Sequence, residues 1–234
     1  MTLACPEFVA ALSPDLCRAV DHYCERIDPS LWSEPVNALT NAAFPLGAWF
    51  VWRLAARHSG LAHRRLIQAL IIVMAIVGAG SFLFHTVGTR WAEWGDVIPI
   101  LVFMLLYLWL ILTGYFRWPG WLKLAALAAY FAVTFYLETA VPGTLLWGGA
   151  MYLPTVLVLA GIAWGLHRRG SAAGPAMAGA VAVFLLSVAA RTVDMPLCPV
   201  FPLGTHFLWH LQNALLLFLL LRLAILRAPS RFSG

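Results

Sequence analysis

The chain has 234 residues, of which 62% are hydrophobic and only 11% charged, with a mean hydropathy of +0.84. A soluble domain carries roughly 45 to 50% apolar residues, so this composition excludes one and indicates an integral membrane protein. The net charge of +5 and pI near 9.3 do not indicate a nucleic-acid binder, because the basic residues form no patch interleaved with aromatics and lie between apolar runs.

The first thirty residues carry Glu7, Asp15, Arg18, Asp21, Glu25, Arg26 and Asp28 and lack a continuous apolar core, so no cleavable signal peptide is expected. Residues 1–36 read as an extramembrane segment. Seven apolar stretches follow that read as crossings of a hydrocarbon core, 37–56, 66–84, 97–115, 121–138, 144–166, 176–190 and 205–226, of which the sixth is the shortest. The connections are short and polar or bear Gly and Pro, and there is no linker or internal repeat. The expected fold is therefore all-α, one seven-helix domain over 1–234.

Lys and Arg placement sets the expected orientation. The regions after helices one, three and five and the C-terminal end hold eleven: Arg53, Arg57, Arg64, Arg65, Arg117, Lys123, Arg168, Arg169, Arg222, Arg227 and Arg231. The N-terminal segment and the other connections hold four: Arg18, Arg26, Arg90 and Arg191. This predicts an N-terminus outside and a C-terminus in the cytoplasm.

Five polar residues then fall at the non-cytoplasmic ends of the predicted helices: Ser81, His85, Asp96, His206 and His210. Polar groups at membrane depth are costly and need a partner or a function. Ser81 and His85 are four apart on one face, as are His206 and His210. A His pair from one helix and a third His from another make a three-histidine zinc site with a fourth position for water, whose pKa zinc lowers toward about 7. Asp96 would move the proton and Ser81 would donate to the oxyanion. The reaction class is hydrolysis of an amide or ester whose tails lie in lipid.

Structural readings stand beside these. Asp96 could cap the N-terminus of helix three. Ser81 could serve close packing with Gly78 and Gly80, and a His at a helix end could be an interfacial group. A receptor or transporter with an ion or proton-relay site is the non-enzymatic alternative, but it needs polar residues near the midplane. Clustering at one end favours an enzyme, with ester lipids as an alternative substrate class.

The stretch Gly80-Ser81-Phe82-Leu83-Phe84-His85, followed eleven residues later by Asp96, resembles the alkaline ceramidase signature. So do His206-Phe207-Leu208-Trp209-His210, the set Arg191, Asp194 and Cys198, and the entry segment Cys24-Glu25 with Trp32, Glu34, Asn37 and Asn41. The resemblance spans about residues 21–210. It implies a seven-helix intramembrane hydrolase of the superfamily that joins alkaline ceramidases to adiponectin-type receptors. In it His85, His206 and His210 bind zinc, Asp96 handles the proton and Ser81 assists at the oxyanion. The implied substrate is ceramide or a related N-acyl lipid, cleaved to a sphingoid base and a fatty acid, with no protein partner indicated.

The resemblance also implies a calcium site near Glu25 and Glu34, with Asp21, Asp28 and Asn37 as further candidates, since oxygen-rich loops suit calcium. A solvated acidic loop is the alternative, and the spacing from Glu25 to Glu34 is shorter than in the family pattern. All four cysteines lie on the predicted outer side, where disulfides persist. Cys24 and Cys198 sit in family-like patterns and are expected to pair, whereas Cys5 and Cys17 carry no such signal. A short multi-pass chain without retention motifs suits a bacterial inner membrane.

Overall fold

The computed structural model describes residues 5–142 and 145–227. Its helices in chain order are α1 (Glu7–Leu12), α2 (Pro35–Thr40), α3 (Ala43–Ala56), α4 (Arg64–Val87), α5 (Arg90–Gly114), α6 (Gly120–Ala140), α7 (Leu153–Arg168), α8 (Ala173–Leu197) and α9 (His206–Leu226). Tight 3-10 turns cover Pro14–Cys17 and Leu145–Tyr152. Among the described residues there is no β-strand, and one antiparallel bridge joins Ala19 to Thr89.

Six helices are long and apolar enough to cross a membrane: α4, α5, α6, α7 extended back to Leu145, α8 and α9. Their outer faces are as apolar as their inner ones. Ile72, Leu157, Trp164 and Leu186 are each at least 60% exposed, the pattern of helices solvated by lipid rather than water. This is a multi-pass membrane protein.

The first predicted span, 37–56, is not one helix. It divides into α2 and the fourteen-residue α3, and α3 alone is short of the roughly 20 residues a crossing needs. Pro45 has no N–H to give to the Asn41 carbonyl. The backbone tightens there, with Asn41, Ala42 and Phe44 N–H groups bonding three residues back to Ala38, Leu39 and Asn41 at 3.1 to 3.2 Å. The Thr40 hydroxyl donates to Val36 O at 2.8 Å and the Asn41 amide to Asn37 O at 2.9 Å, so the freed carbonyls of α2 keep partners.

Other boundaries move outward. The third predicted span begins at Arg90 rather than residue 97, which places Asp96 inside α5; its N-cap is Thr89, so Asp96 is not a cap. The sixth, predicted over 176–190, runs the full 25 residues of α8. The start of the fifth at Thr144, and Arg231 of the charge count, lie outside the described residues.

The centre of the bundle is α4. Its Leu70, Met74 and Val77 share one core with Val51 of α3, Phe103 and Tyr107 of α5, and Leu220 and Leu221 of α9. By contrast, α6 is peripheral and buries only Lys123 and Tyr130. Two glycines let α4 approach its neighbours closely. A methyl at Gly78 would come within 2.7 to 2.9 Å of Phe44, Pro45 and the Asn41 carbonyl, and one at Gly80 would run into the Gly95 carbonyl of α5.

Gly80→Ala should therefore force α4 and α5 apart, at a cost of about 1 to 3 kcal/mol. Gly161→Ala in α7, where an added methyl meets nothing within 4 Å, should be neutral or stabilising by up to about 1 kcal/mol. Thermal unfolding in detergent reads both signs. A Gly80→Ala protein as stable as the parent would contradict the close approach.

The segment before α2 is not a loose tail. It lies over the α4–α5 connection, with Val20 N–H donating to Gly88 O at 2.9 Å, Arg90 N–H to Arg18 O at 3.0 Å and Trp32 N–H to Thr86 O at 3.2 Å. Gly88, in the left-handed region, closes α4 by bonding back to Phe84 O at 2.7 Å. Cys24 pairs with Cys198, as expected, and Cys5 pairs with Cys17.

Candidate active site

The C-terminal turn of α4, the second turn of α5 and the first turns of α9 meet beneath this N-terminal segment. Together they hold the five polar residues: Ser81 and His85 on α4, Asp96 on α5, and His206 and His210 on α9. The three histidines are almost wholly buried, and one ligand nitrogen from each lies within 4.8 Å of the others. Among the described residues this is the only set of three or more His, Cys, Asp or Glu side chains so gathered.

The hydrogen bonds around the rings fix which nitrogen faces inward. Glu34 Oε2 lies 2.5 Å from His85 Nδ1, and a carboxylate there can only accept, so the ring proton sits on Nδ1. The Thr40 hydroxyl gives its proton to Val36 O and is left to accept from His210 Nδ1 at 3.0 Å. Assigned this way, the Nε2 atoms of His85 and His210 face one another at 3.0 Å with a lone pair each. Two buried lone pairs at that distance need an electrophile between them. His206 Nδ1 is also buried without a partner. This donor set fits a metal ion.

The surroundings hold the ligands in place. Asp194 of α8 accepts from the backbone N–H groups of Thr205 at 2.6 Å and His206 at 2.8 Å, capping the start of α9, and from Cys24 N–H at 2.9 Å. The Tyr23 ring stacks on His206 with centroids 3.6 Å apart. Burial pushes the Tyr23 hydroxyl well above its usual value, against the opposing Arg191 charge, so the ring is a neutral wall. Arg191 itself lies over Tyr23 and Tyr152 at 5.4 and 5.8 Å and donates to Trp147 O at 2.8 Å, tying the left-handed residues of the Leu145–Tyr152 turn to this end of the bundle.

The second half of the site follows from the glycine contact between α4 and α5. Because Gly80 packs on Gly95, the next residues along, Ser81 and Asp96, lie side by side. Ser81 is buried, and Asp96 Oδ1 is a buried acceptor with no partner. An unpaired carboxylate oxygen next to a hydroxyl and a buried imidazole cluster is costly to keep unless it has work to do.

Of the five residues expected near calcium, Glu25, Glu34 and Asn37 meet at the start of α2, where the Asn37 Oδ1 is buried without a partner, while Asp21 and Asp28 stand apart from them. Glu34 is spent on His85 Nδ1, on Arg26 Nε at 2.5 Å and on the Asn37 amide at 3.1 Å. Burial would raise the Glu34 carboxyl, but its bond to His85 and the nearby Arg26 charge hold it below the usual range. Glu25 uses both oxygens on the Val36 and Asn37 N–H groups at 2.7 and 2.8 Å; partial burial raises it and those two bonds oppose the rise. Asp21 and Asp28 face solvent. Asp28 accepts from the Ser30 N–H at 2.7 Å, and hydrogen bonding by the Ser30 side chain and then by this N–H holds its carboxyl below the usual range.

Residues 22–229 match the protein-family model described as Ceramidase. The chain belongs to the ceramidase family. No curated protein matches it. Family membership makes it a ceramidase-type hydrolase that acts on amide bonds and takes a lipid substrate.

Within this ceramidase-family site, some contributors carried no sequence signal of their role. Thr40 is one hydroxyl in an apolar run, and Tyr23 one aromatic among many; only the fold brings them to His210 and His206. Asp194 did stand in a family-like pattern, but its task of holding the start of α9 is visible only in three dimensions.

Proposed function

We propose that this ceramidase-family protein is a zinc-dependent intramembrane amidase that cleaves ceramide or a related N-acyl lipid to a sphingoid base and a fatty acid. The observation that carries this reading is the facing pair of buried imidazole nitrogens, with the unpartnered His206 beside them. Three neutral histidines and one open position are the ligand set of catalytic zinc. When bound, zinc supplies a nucleophile at neutral pH by lowering the pKa of a water toward about 7, and polarises the scissile carbonyl.

The chain's own residues do the rest. His85 and His210 are held in one tautomer by Glu34 and Thr40, which leaves Nε2 of each ring free to act as a ligand. Asp96, with a free oxygen, accepts the proton of the attacking water and delivers it to the departing amine nitrogen, which balances the reaction. Ser81 donates to the carbonyl oxygen as it gains charge.

An open groove of about 710 Å³ between α3 and α9 runs past Leu46, Phe50, Leu211, Leu215 and Phe218 to Arg53, Arg57 and Arg222. It offers room for a lipid chain on the face of the bundle that carries Leu211. Taking α2 and α3 as one broken crossing gives seven passes, about 33 Å of helix for that segment if straight. Together with the Lys and Arg distribution, seven passes favour a non-cytoplasmic side for the N-terminus, both disulfides and the site.

A panel of N-acyl sphingoid lipids, N-acyl ethanolamines and ester lipids, assayed with and without chelator, tests this reading. Chelator-sensitive release of fatty acid from the sphingoid amides is the expected result. Cleavage confined to esters would assign a lipase instead, and undiminished cleavage in the metal-free protein would refute the zinc role.

A further inference from the structure

A calcium ion takes six to eight oxygen ligands at 2.3 to 2.6 Å, and the N-terminal segment does not offer them. Glu25 is committed to the first backbone N–H groups of α2, Asp21 and Asp28 are exposed, Glu34 already has a cation, and the Asn37 Oδ1 is the one buried side-chain oxygen of the five left without a partner. That cation is Arg26. Its side chain is only 2% exposed, which is rare for an unpaired charge and needs a built partner set. Nε donates to Glu34 at 2.5 Å, Nη2 to the His85 carbonyl at 3.2 Å and Nη1 to the Asp28 carbonyl at 3.4 Å.

The surface that receives the guanidinium is shaped for it. A methyl at Gly88 would collide with the Arg26 guanidinium, so the glycine that ends α4 also makes room for the charge. The contacts form a chain: Arg26 binds one oxygen of Glu34, and the other oxygen binds His85 Nδ1. A divalent ion at Glu34 would meet a fixed positive charge at hydrogen-bond distance, and like charges that close in a buried site repel strongly.

We propose that Arg26 is an internal cation standing where the family resemblance placed calcium. It neutralises Glu34 and fastens the N-terminal segment to the end of α4, so that Glu34 keeps His85 oriented without calcium. Arg26 is thus a positioning residue acting through Glu34. Its effect on metal retention rests on the zinc reading above; its replacement of calcium does not.

Two measurements on the full-length protein separate these. Calcium titrated into the wild type by calorimetry should bind with no unit stoichiometry below about 1 mM, a range in which oxygen-ligated sites otherwise fall, and should leave the unfolding temperature unchanged. Stoichiometric binding at micromolar calcium would overturn the proposal. Arg26→Gln should unfold at a lower temperature and lose zinc to a competing chelator about 10 to 100-fold more readily, as loss of an outer-shell partner does, and Arg26→Lys should recover part of both.

An Arg26→Gln protein with the parent's unfolding temperature and zinc retention would also overturn it. If Arg26→Gln fails to fold, the calcium titration and Arg26→Lys still decide. Should the wild type prove to contain no zinc, the amidase reading falls, while calcium binding and unfolding temperature continue to test Arg26.

Discussion

His85→Ala, His206→Ala and His210→Ala should each lower zinc from about one per chain, as a three-histidine site requires, and lower amide hydrolysis by about 10³-fold or more. The magnitude follows from metal catalysis being worth several kcal/mol of barrier, at 1.36 kcal/mol per decade of rate. The three variants should differ in other respects. His85→Ala leaves Glu34 buried but still paired with Arg26, so the fold should survive. His206→Ala also removes the ring on which Tyr23 stacks and should cost more in unfolding temperature. Elemental analysis beside a turnover assay checks the set, and variants that keep both zinc and turnover would show that the histidines only fill space.

Asp96→Asn should do the opposite to the metal and the same to the rate. Asp96 is not among the clustered donors, so zinc content should stay at the wild-type level, while turnover falls by about 10² to 10⁴, the usual worth of a positioned acid or base. The substitution is isosteric and removes only the capacity to take up and release a proton. Ser81→Ala is the companion change. Losing one oxyanion donor is worth about 10² to 10³ in rate, again with metal retained. Turnover by Asp96→Asn within a factor of about three of the parent would remove Asp96 from proton transfer and reopen the choice of base.

Much of this was legible because membranes simplify the reading. An apolar run of crossing length has few alternatives, and two histidines four apart on such a run must share a face, which is why Ser81, His85, His206 and His210 could be grouped before any coordinates. What escaped was set by contacts that leave no mark on hydropathy. The break at Asn41 depends on Pro45 and on hydroxyl and amide groups that rescue the freed carbonyls. A single-sequence reading sees only another apolar stretch.

Glu34 shows the same limit more sharply. A carboxylate in an acidic segment suggests an oxygen ligand for a cation, yet its partners are a ring 51 positions away and an arginine eight positions before it. Residues 1–36 read as a segment outside the membrane. That does not reveal that residues 18–34 form the roof of the site, because the reading depends on an exchange of backbone bonds with Gly88 and Arg90 that leaves no trace in composition.

The order in which the chain leaves the ribosome gives the last helix a particular weight. His206 and His210 lie in α9, and Cys198, the partner of Cys24, comes just before it. A nascent chain that has inserted everything up to α8 carries His85, Asp96 and Ser81 but holds one imidazole of three. On the proposed reading, hydrolysis therefore waits until α9 has joined the bundle, and a translation product cut short before residue 206 should be inactive.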